Sequence, residues 1–256
     1  MRTALRDEII RLGPWHLDVQ VTPDISTACS TEASYPPSFG DVSFINPRGA
    51  FTHLMTKIYP HGLGGRSFLD CACNCGGYSF WARELGAGAT FGFDVRSHWI
   101  DQARFLLDRR GDTEGMRFEV CDLYDVSNLG LQPFDVTLFK GIFYHLPDPI
   151  TGLRIAADLT RELIIVDTAT RNGLPDGLLA VAEEDRVAAM SGVHGLNWYP
   201  TGPDVIVRVL RWLGFVETRC TYWRRESRDQ PETLGRLQIV GSRTPGLLAA
   251  VGEQER

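Results

Sequence analysis

At 256 residues, 43% hydrophobic and 23% charged, the chain can bury a sizeable core as one α/β domain with an N-terminal extension. This composition excludes disordered, collagen-like and membrane classes. A formal charge of -6, with no dense run of Lys and Arg, argues against long nucleic acid as a partner, because a phosphate backbone calls for a basic patch.

The chain starts MRTALRDEII, where charge alternates with apolar residues, and eighteen apolar residues never run together. Neither signal peptide nor membrane span is expected, and the reading is a cytoplasmic protein. Leu5–Leu12 has amphipathic helical spacing and stops at Gly13-Pro14. Pro23, Pro36, Pro37 and Pro47 then forbid long regular elements, which predicts an extended wrap leading to a helix over Gly49–Ile58. Residues 1–65 form this N-terminal extension.

From Arg66 to Arg243, short apolar runs alternate with helix-like segments, the pattern of βαβ units and a mostly parallel sheet. Strands are predicted over Ser67–Cys71, Thr90–Asp94, Arg117–Cys121, Phe134–Phe139, Glu162–Asp167, Glu217–Trp223 and Leu237–Ser242. Helices fit at Ser79–Leu85, Trp99–Arg109, Ile150–Leu159 and Pro203–Leu213, the last ended by Gly214. The final two strands are separated by a short connection containing Asp229-Gln-Pro231, so they should pair antiparallel. The expected fold is α/β, a Rossmann-like seven-stranded mostly parallel sheet with a reversed last strand. Arg171–Thr201 breaks the rhythm beyond the carboxyl end of a strand, the ligand side of open α/β sheets, and is expected to be the acceptor lid. Within it Leu178–Ala182 could form a short covering helix, and Gly173, Gly177, Gly192 and Gly195 supply flexibility. Residues 244–256 form a C-terminal tail, and the basic stretch Arg224 to Arg228 reads as a solvated loop.

Phe68-Leu-Asp70-Cys-Ala72-Cys73-Asn74-Cys75-Gly76-Gly77 is an apolar strand ending at an acid, followed by a small-residue loop turning into a helix. Such a loop lets a nucleotide cofactor approach the backbone, and the helix start offers N–H groups. Cys71, Cys73 and Cys75 alternate at a strand end, which closes poorly around zinc, and no neighbouring His completes a ligand set. They read as free thiols, and no metal is expected. The second strand ends in Asp94, 24 residues after Asp70, where a carboxylate can grip two ribose hydroxyls. The third leads into Asp122, placed to accept from an adenine amino group. For each Asp alone, a polar strand end or helix N-cap is the plain alternative.

With the run Phe134-Asp-Val-Thr-Leu-Phe-Lys140-Gly141-Ile-Phe-Tyr144-His145-Leu-Pro-Asp-Pro149, the chain resembles the class I S-adenosylmethionine-dependent methyltransferases. More narrowly it resembles the group that includes tRNA wobble-uridine carboxymethyltransferase and secondary-metabolite methyltransferases. Pro14-Trp15-His16, Cys73 to Tyr78, Asp167-Thr168 and Asn197-Trp-Tyr-Pro-Thr201 carry that likeness. The resemblance implies S-adenosyl-L-methionine as cofactor. Asp70, Ala72, Cys73, Asn74, Gly76 and Tyr78 would hold its methionine portion, Asp94 and Val95 the ribose, and Asp122 with Leu123 the adenine. Lys140, Gly141 and Tyr144 would lie beneath the sulfonium. Two departures stand out. Ala72 replaces a motif glycine, and Lys140 sits where an apolar residue is usual. The carboxylated cofactor of the tRNA enzymes needs a Lys before the first motif, but Lys57, the only lysine before Asp70, reads as a helix residue. The ordinary cofactor is therefore expected.

Methyl transfer from an activated donor needs alignment above all, and a base is optional. For a hydroxyl acceptor, His145 beside Tyr144 is the best-placed imidazole, with His194 second. A Tyr-His pair bracing the loop, or His194 in a plain turn, are the alternatives. Trp15, Tyr144, Trp198 and Tyr199 offer aromatic walls and Asn197 a polar handle for a small-molecule acceptor, whereas Trp99 and Trp212 read as core. A homodimer is one open assembly state. The rival readings are a dehydrogenase, which would show G-x-G-x-x-G, a tRNA-modifying (carboxy)methyltransferase, and a non-catalytic cofactor-binding protein.

Overall fold

A computed structural model describes residues 2–30, 46–111, 113–187, 190–224 and 234–252. Helix α1 (Arg2–Leu12) leads to a short ribbon of β1 (Gln20–Thr22) and β2 (Ile25–Ser26), a 3-10 turn at Thr27–Ser30, and α2 (Pro47–Ile58). Then come β3 (Ser67–Cys71), α3 (Gly77–Glu84), β4 (Ala89–Asp94), α4 (Ser97–Arg109), β5 (Met116–Val120), β6 (Phe134–Lys140), α5 (Pro149–Asp158) and β7 (Thr160–Arg171). The chain continues through β8 (Leu179–Glu183), β9 (Leu196–Pro200), α6 (Pro203–Trp212), β10 (Glu217–Arg224) and β11 (Leu234–Ser242). The main sheet has seven strands in the order β10-β11-β7-β6-β3-β4-β5. Pairings β3–β6, β6–β7 and β4–β5 are parallel, while β11 runs antiparallel to both β7 and β10. This is the expected Rossmann-like sheet with its last strand reversed. Among the described residues, no helix is long and apolar enough to cross a membrane.

Helix starts follow a repeated local rule. Asn46 accepts from Gly49 N (2.8 Å) ahead of Pro47, and Asp148 accepts from Thr151 N (3.0 Å) ahead of Pro149. A side-chain acceptor satisfies an orphan amide while proline fills the first turn, where it gives up no hydrogen bond. Pro47 therefore starts α2 instead of barring regular structure, two residues earlier than the spacing predicts.

The chain divides into two units, each with its own contacts: Met1–Arg66 with Cys73–Asp122, and Ser67–Ala72 with Leu123–Arg256. In the first, the N-terminal extension is anchored in several places. Gln102 Nε2 donates to Leu12 O (2.7 Å) and Pro14 O (2.8 Å), and Thr27 Oγ1 donates to Leu17 O (2.6 Å) while accepting from Val19 N (2.9 Å). Trp15, expected as an acceptor wall, is only 1% exposed, donates from its indole to Ile9 O (2.8 Å) and meets Phe105. A satisfied, enclosed indole is core, and the wall assignment is withdrawn. Of the extended wrap, residues 31–45, including Pro36 and Pro37, lie outside the described residues.

In the second unit, β7 runs well past the predicted Asp167 because β11 pairs with it as far as Arg171 opposite Leu234. Thr168 and Thr170 are buried there, polar residues that break an apolar pattern yet belong to a central strand. Leu178–Ala182 is not helical: β8 pairs antiparallel with β9, Ala180 opposite Tyr199 and Ala182 opposite Asn197. Helix α6 buries Pro203, Ile206, Val207 and Leu210, one face at helical spacing. Trp212 falls off that stripe and is 69% exposed, against the core placement expected. The turn with Asp229 and Pro231, and the basic stretch beyond Arg224, lie outside the described residues.

Phe118 in β5 fixes the spacing between strand and loop in the first unit. A Cβ on Gly76 would come 2.6 Å from its Cε1, and one on Gly92 2.8 Å, while Gly76 also has φ +78°. Gly76→Ala should cost about 1–3 kcal/mol of stability by overpacking and left-handed strain. Gly111→Ala, with no atom within 4 Å of its Cβ, should stay within about 0.5 kcal/mol. Urea unfolding of both proteins measures the difference, and equal midpoints would remove Phe118 as the constraint.

Candidate functional site

The first unit begins again at Cys73, within the loop between β3 and α3. Ala72 (φ 56°), Asn74 (φ 51°) and Gly76 (φ 78°) are left-handed in alternation. Two of the three are not glycine, so the loop stores strain that its surroundings must hold. Cys73 N donates to Phe93 O (2.9 Å), Asn74 N to Asp94 Oδ2 (3.0 Å), Cys75 N to the Asn74 side chain (2.7 Å) and Gly76 N to Cys73 O (2.8 Å). These four amides all have internal acceptors, so the loop is braced by its own bonds. Asp94 also accepts from Arg96 N (3.0 Å) on its other oxygen. Burial pushes its carboxyl above the ordinary value, outweighing the backbone amides of Arg96 and Asn74 and the Arg96 charge. Cys71, Cys73 and Cys75 are buried thiols outside any disulfide, and burial, with Asp70 adjacent, pushes the Cys71 thiol up. Such thiols are inert.

In the second unit a row of polar side chains crosses four strands. Tyr222 of β10 stands opposite Gln238 of β11, Gln238 opposite Asp167 of β7, and Asp167 opposite Lys140 of β6. Asp167 has no exposed surface. Its Oδ2 accepts from Lys140 Nζ (2.7 Å), Gln238 Nε2 (3.1 Å) and the Tyr222 hydroxyl, and its Oδ1 from Arg236 Nε (2.7 Å). Burial alone would raise the carboxyl pKa, but the Arg236 guanidinium and Lys140 ammonium hold it well below the usual range. Gly141, at φ 73°, donates its N–H to Asp167 O (2.8 Å). Lys140, expected beneath a sulfonium, therefore has an anionic partner of its own.

Beside this row, a 3-10 turn (Phe143–His145) carries Tyr144 and His145. His145 Nδ1 lies 2.7 Å from Glu184 Oε1, and the Glu184 side chain is 7% exposed. With its amide oriented to satisfy its neighbours, Asn197 donates to Glu184 Oε2 (3.1 Å) and Tyr144 O (3.0 Å) and accepts from the Tyr199 hydroxyl (3.1 Å). Tyr199 stacks on Tyr144 (5.7 Å between centroids, 19°), and the Arg236 guanidinium lies over the other ring (5.8 Å). Burial, with Tyr144 and Glu184 nearby, pushes Tyr199 up to about 12, so it stays a neutral donor.

The β8–β9 hairpin sorts the expected acceptor residues. Side chains alternate across a strand, and Asn197 and Tyr199 share the face that meets Tyr144. Trp198 points to the opposite face, paired across the ladder with Val181, so the expected wall of Trp198 and handle of Asn197 lie on different faces of the hairpin. The Trp198 indole nitrogen is buried without a hydrogen-bond partner among the described residues. His194 stands edge-on to Tyr124 (6.0 Å, 76°), whose hydroxyl donates to Asp148 O (2.8 Å). Tyr78 meets the edges of Phe51 and Trp81. Asp70 and Leu123 are buried, Asp122 is half-buried and Val95 is exposed. Sequence reasoning gave no role to Glu184, Tyr222, Arg236 or Gln238. The alternation Leu179-Ala-Val-Ala-Glu was the available signal for a strand delivering Glu184.

Asp167→Asn leaves Lys140 and Arg236 without their carboxylate, a buried loss expected to cost about 3–5 kcal/mol. Because the folded pKa is depressed, the stabilisation is complete above the unfolded value of about 3.9 and is lost as pH falls below it toward the folded value. Denaturant unfolding across that acid range should show a shallower decline for the variant, and parallel curves would discount the row.

Three comparisons bear on the family and the fold. The family pattern described as "Methyltransferase domain" matches residues 64–197, just over half of the chain. Similar curated proteins include the tRNA U34 carboxymethyltransferases of Pseudomonas fluorescens (strain SBW25), 29% identical over 168 residues, and of Ectopseudomonas mendocina (strain ymp), 30% over 170 residues. Each match takes in 64% of this chain but 50% and 49% of those proteins, so the chain spans about half their length. Among solved structures, the N-terminal domain of EvdMO1, in the presence of SAH and D-fucose, has a TM-score of 0.72 at 18% identity, covering 94% of this chain and 96% of that one. Magnesium protoporphyrin IX methyltransferase (ChlM) from Synechocystis PCC 6803 gives 0.54 at 15%, covering 78% and 81%. By fold and by family match, the chain belongs to the class I S-adenosylmethionine-dependent methyltransferases.

Proposed function

We propose that the chain transfers a methyl group from S-adenosyl-L-methionine to a small-molecule acceptor, as an enzyme of secondary metabolism. The observation that carries the cofactor assignment is Asp94, a buried carboxylate at the carboxyl end of β4 with one backbone amide on each oxygen. A carboxylate has about four acceptor sites, so both oxygens retain capacity for ribose hydroxyls. The braced Cys73–Gly77 loop would take the methionine portion and Asp122 the adenine amino group. The cofactor's sulfonium supplies an activated methyl, and the protein's part is to align the acceptor with it and exclude water.

On the acceptor side, His145, Tyr144, Asn197 and Tyr199 form a compact aromatic and polar cluster suited to a small hydroxylated molecule. The EvdMO1 domain, determined in the presence of D-fucose, supports that size and chemistry. The hairpin bearing Asn197 and Tyr199 is the proposed acceptor lid. The tRNA enzymes among the relatives favour a second reading, a tRNA wobble-uridine (carboxy)methyltransferase, but the charge of -6 gives an RNA backbone little to hold.

Asp94→Ala should weaken cofactor binding about ten- to a hundredfold, from the loss of about 1.5–3 kcal/mol of charge-assisted bonding. In the parent protein, protonating Asp94 removes the same acceptors, so affinity should fall with falling pH from above the ordinary carboxylate range, because its pKa is raised. Calorimetric titration at several pH values reads both, and an unchanged affinity in the folded variant removes Asp94 from the site. Bulk tRNA should not compete at physiological salt; micromolar tRNA binding would replace the small-molecule reading with the second one.

A further inference from the structure

We infer that the first unit carries a second binding site, for a phosphorylated small molecule, in the cavity where α2, α3, α4 and the β1–β2 ribbon meet. The inference goes beyond the methyl-transfer reading and does not depend on it. The cavity measures about 430 Å³ and is walled by Arg48, Arg83, Glu84, Arg109 and Arg110 around the ring of Phe80. All of these residues belong to the first unit. Arg83 fixes the cavity's place in the fold, donating from Nη1 to Ala87 O (2.5 Å) and Gly88 O (3.1 Å), the two residues before β4. Asp94 ends the same strand, so the length of β4, at about 3.3 Å per residue, separates the arginine wall from the proposed ribose acceptor.

The charges are arranged for an anion. Glu84 is shared: its Oε2 accepts from Arg48 (2.7 Å) and its Oε1 from Arg110 (2.8 Å), and one carboxylate cannot neutralise two guanidiniums. Arg109 pairs with Glu8 (2.8 Å), which Arg11 also approaches at 4.0 Å. The four guanidiniums of the wall therefore face two carboxylates, an excess of two positive charges in a chain whose formal charge is -6. A phosphate monoester at neutral pH carries nearly two negative charges and three strong acceptor oxygens, so it matches that excess where a single carboxylate would leave half of it. Arg110 is the preorganised member. Gln20 O accepts from its Nη1 (2.5 Å), Glu84 holds its Nη2, and the guanidinium lies over the Phe80 ring (5.0 Å). A guanidinium already held in place loses little freedom on binding an oxyanion. Helix electrostatics account for only part of the cluster: Arg83 and Arg109 lie in the last turns of α3 and α4, where a cation is favoured, but Arg48 lies in the first turn of α2, where it opposes the dipole. An anion in the cavity compensates that placement, since Glu84 is already divided between two arginines.

The test is calorimetric titration of the full chain near neutral pH and at low salt, with inorganic pyrophosphate as the probe and citrate as a carboxylate of similar charge. Pyrophosphate should bind saturably at roughly submillimolar concentration and at least about threefold more tightly than citrate. Arg48→Gln and Arg110→Gln should each weaken it about five- to tenfold, the loss of a charge-assisted bond discounted for solvent screening. Arg208→Gln, at an exposed arginine of α6, should leave it unchanged, and so should Asp94→Ala. Arg48 is more exposed than Arg110, so its variant keeps the test decisive if Arg110→Gln does not fold. No saturable binding, citrate bound as tightly, or an affinity untouched by Arg48→Gln overturns the inference. Loss of pyrophosphate binding in folded Asp94→Ala overturns it too, by moving the probe to the proposed cofactor site, and displacement of the probe by micromolar tRNA overturns it by giving the cavity to an RNA backbone.

Discussion

Asp167 is buried without exposed surface, and a carboxylate in that position costs several kcal/mol to desolvate unless donors surround it. Four do, drawn from β6, β10 and β11. The requirement is mutual, because Lys140 and Arg236 are themselves poorly exposed cations that need an anion. It also fixes register. A slip of one residue in β11 would turn Gln238 and Arg236 to the other face of the sheet. The apolar residues of these strands would tolerate several alignments, whereas the polar row accepts one. The reversal of β11, which brings Arg236 and Gln238 back along β7, is what allows two of the donors to come from one strand.

The cluster around Tyr144 and Tyr199 is built outward from this row. Arg236 bonds Asp167 through Nε and lies over the Tyr144 ring, Tyr144 stacks on Tyr199, and Tyr199 shares Asn197 with Glu184. An ion pair in the sheet is thus linked, contact by contact, to the carboxylate beside His145. Each group in the chain has two partners, so its rotamer is held from both sides, the condition for a reactive side chain to keep one geometry.

The sequence made the sheet legible because its strands carry apolar runs ending in Asp70, Asp94 and, just beyond β5, Asp122, and because a short connection between the last two strands allows only an antiparallel pair. The Cys73–Gly77 loop and Asp94 were legible for the same reason, since they are local to strand ends. The polar row was not. Asp167 meets Tyr222, Arg236 and Gln238 at separations of 55, 69 and 71 residues, and no periodicity encodes which strands lie side by side. Glu184 is hidden by an ambiguous period: the apolar run Leu178–Ala182 admits a short helix as readily as the strand it forms, and the two place every side chain after it differently. Asn197 and Trp198, both expected at the acceptor, are neighbours on a strand and face apart. Trp15 failed for a different reason, since an aromatic near a family-like motif can serve as core, and only its bond to Ile9 O decides.

The loop after β3 shows how the chain tolerates its departure from a glycine-rich motif. Ala72 and Asn74 adopt left-handed backbone, which costs an L-residue roughly 1–2 kcal/mol. Glycine would remove that cost but would free the loop to sample many shapes before binding. Here the strain is offset by Asp94, which accepts the Asn74 amide, and by the Asn74 side chain, which accepts the next amide. Asp94 therefore works on two levels. Its hydrogen bonds hold a loop without flexible residues in one shape, and its burial, which raises its pKa, leaves a charge that gains from every further donor offered to it. Under the proposed cofactor assignment a ribose diol would be such a donor pair, and the order that glycine would have deferred until binding is already present in the loop.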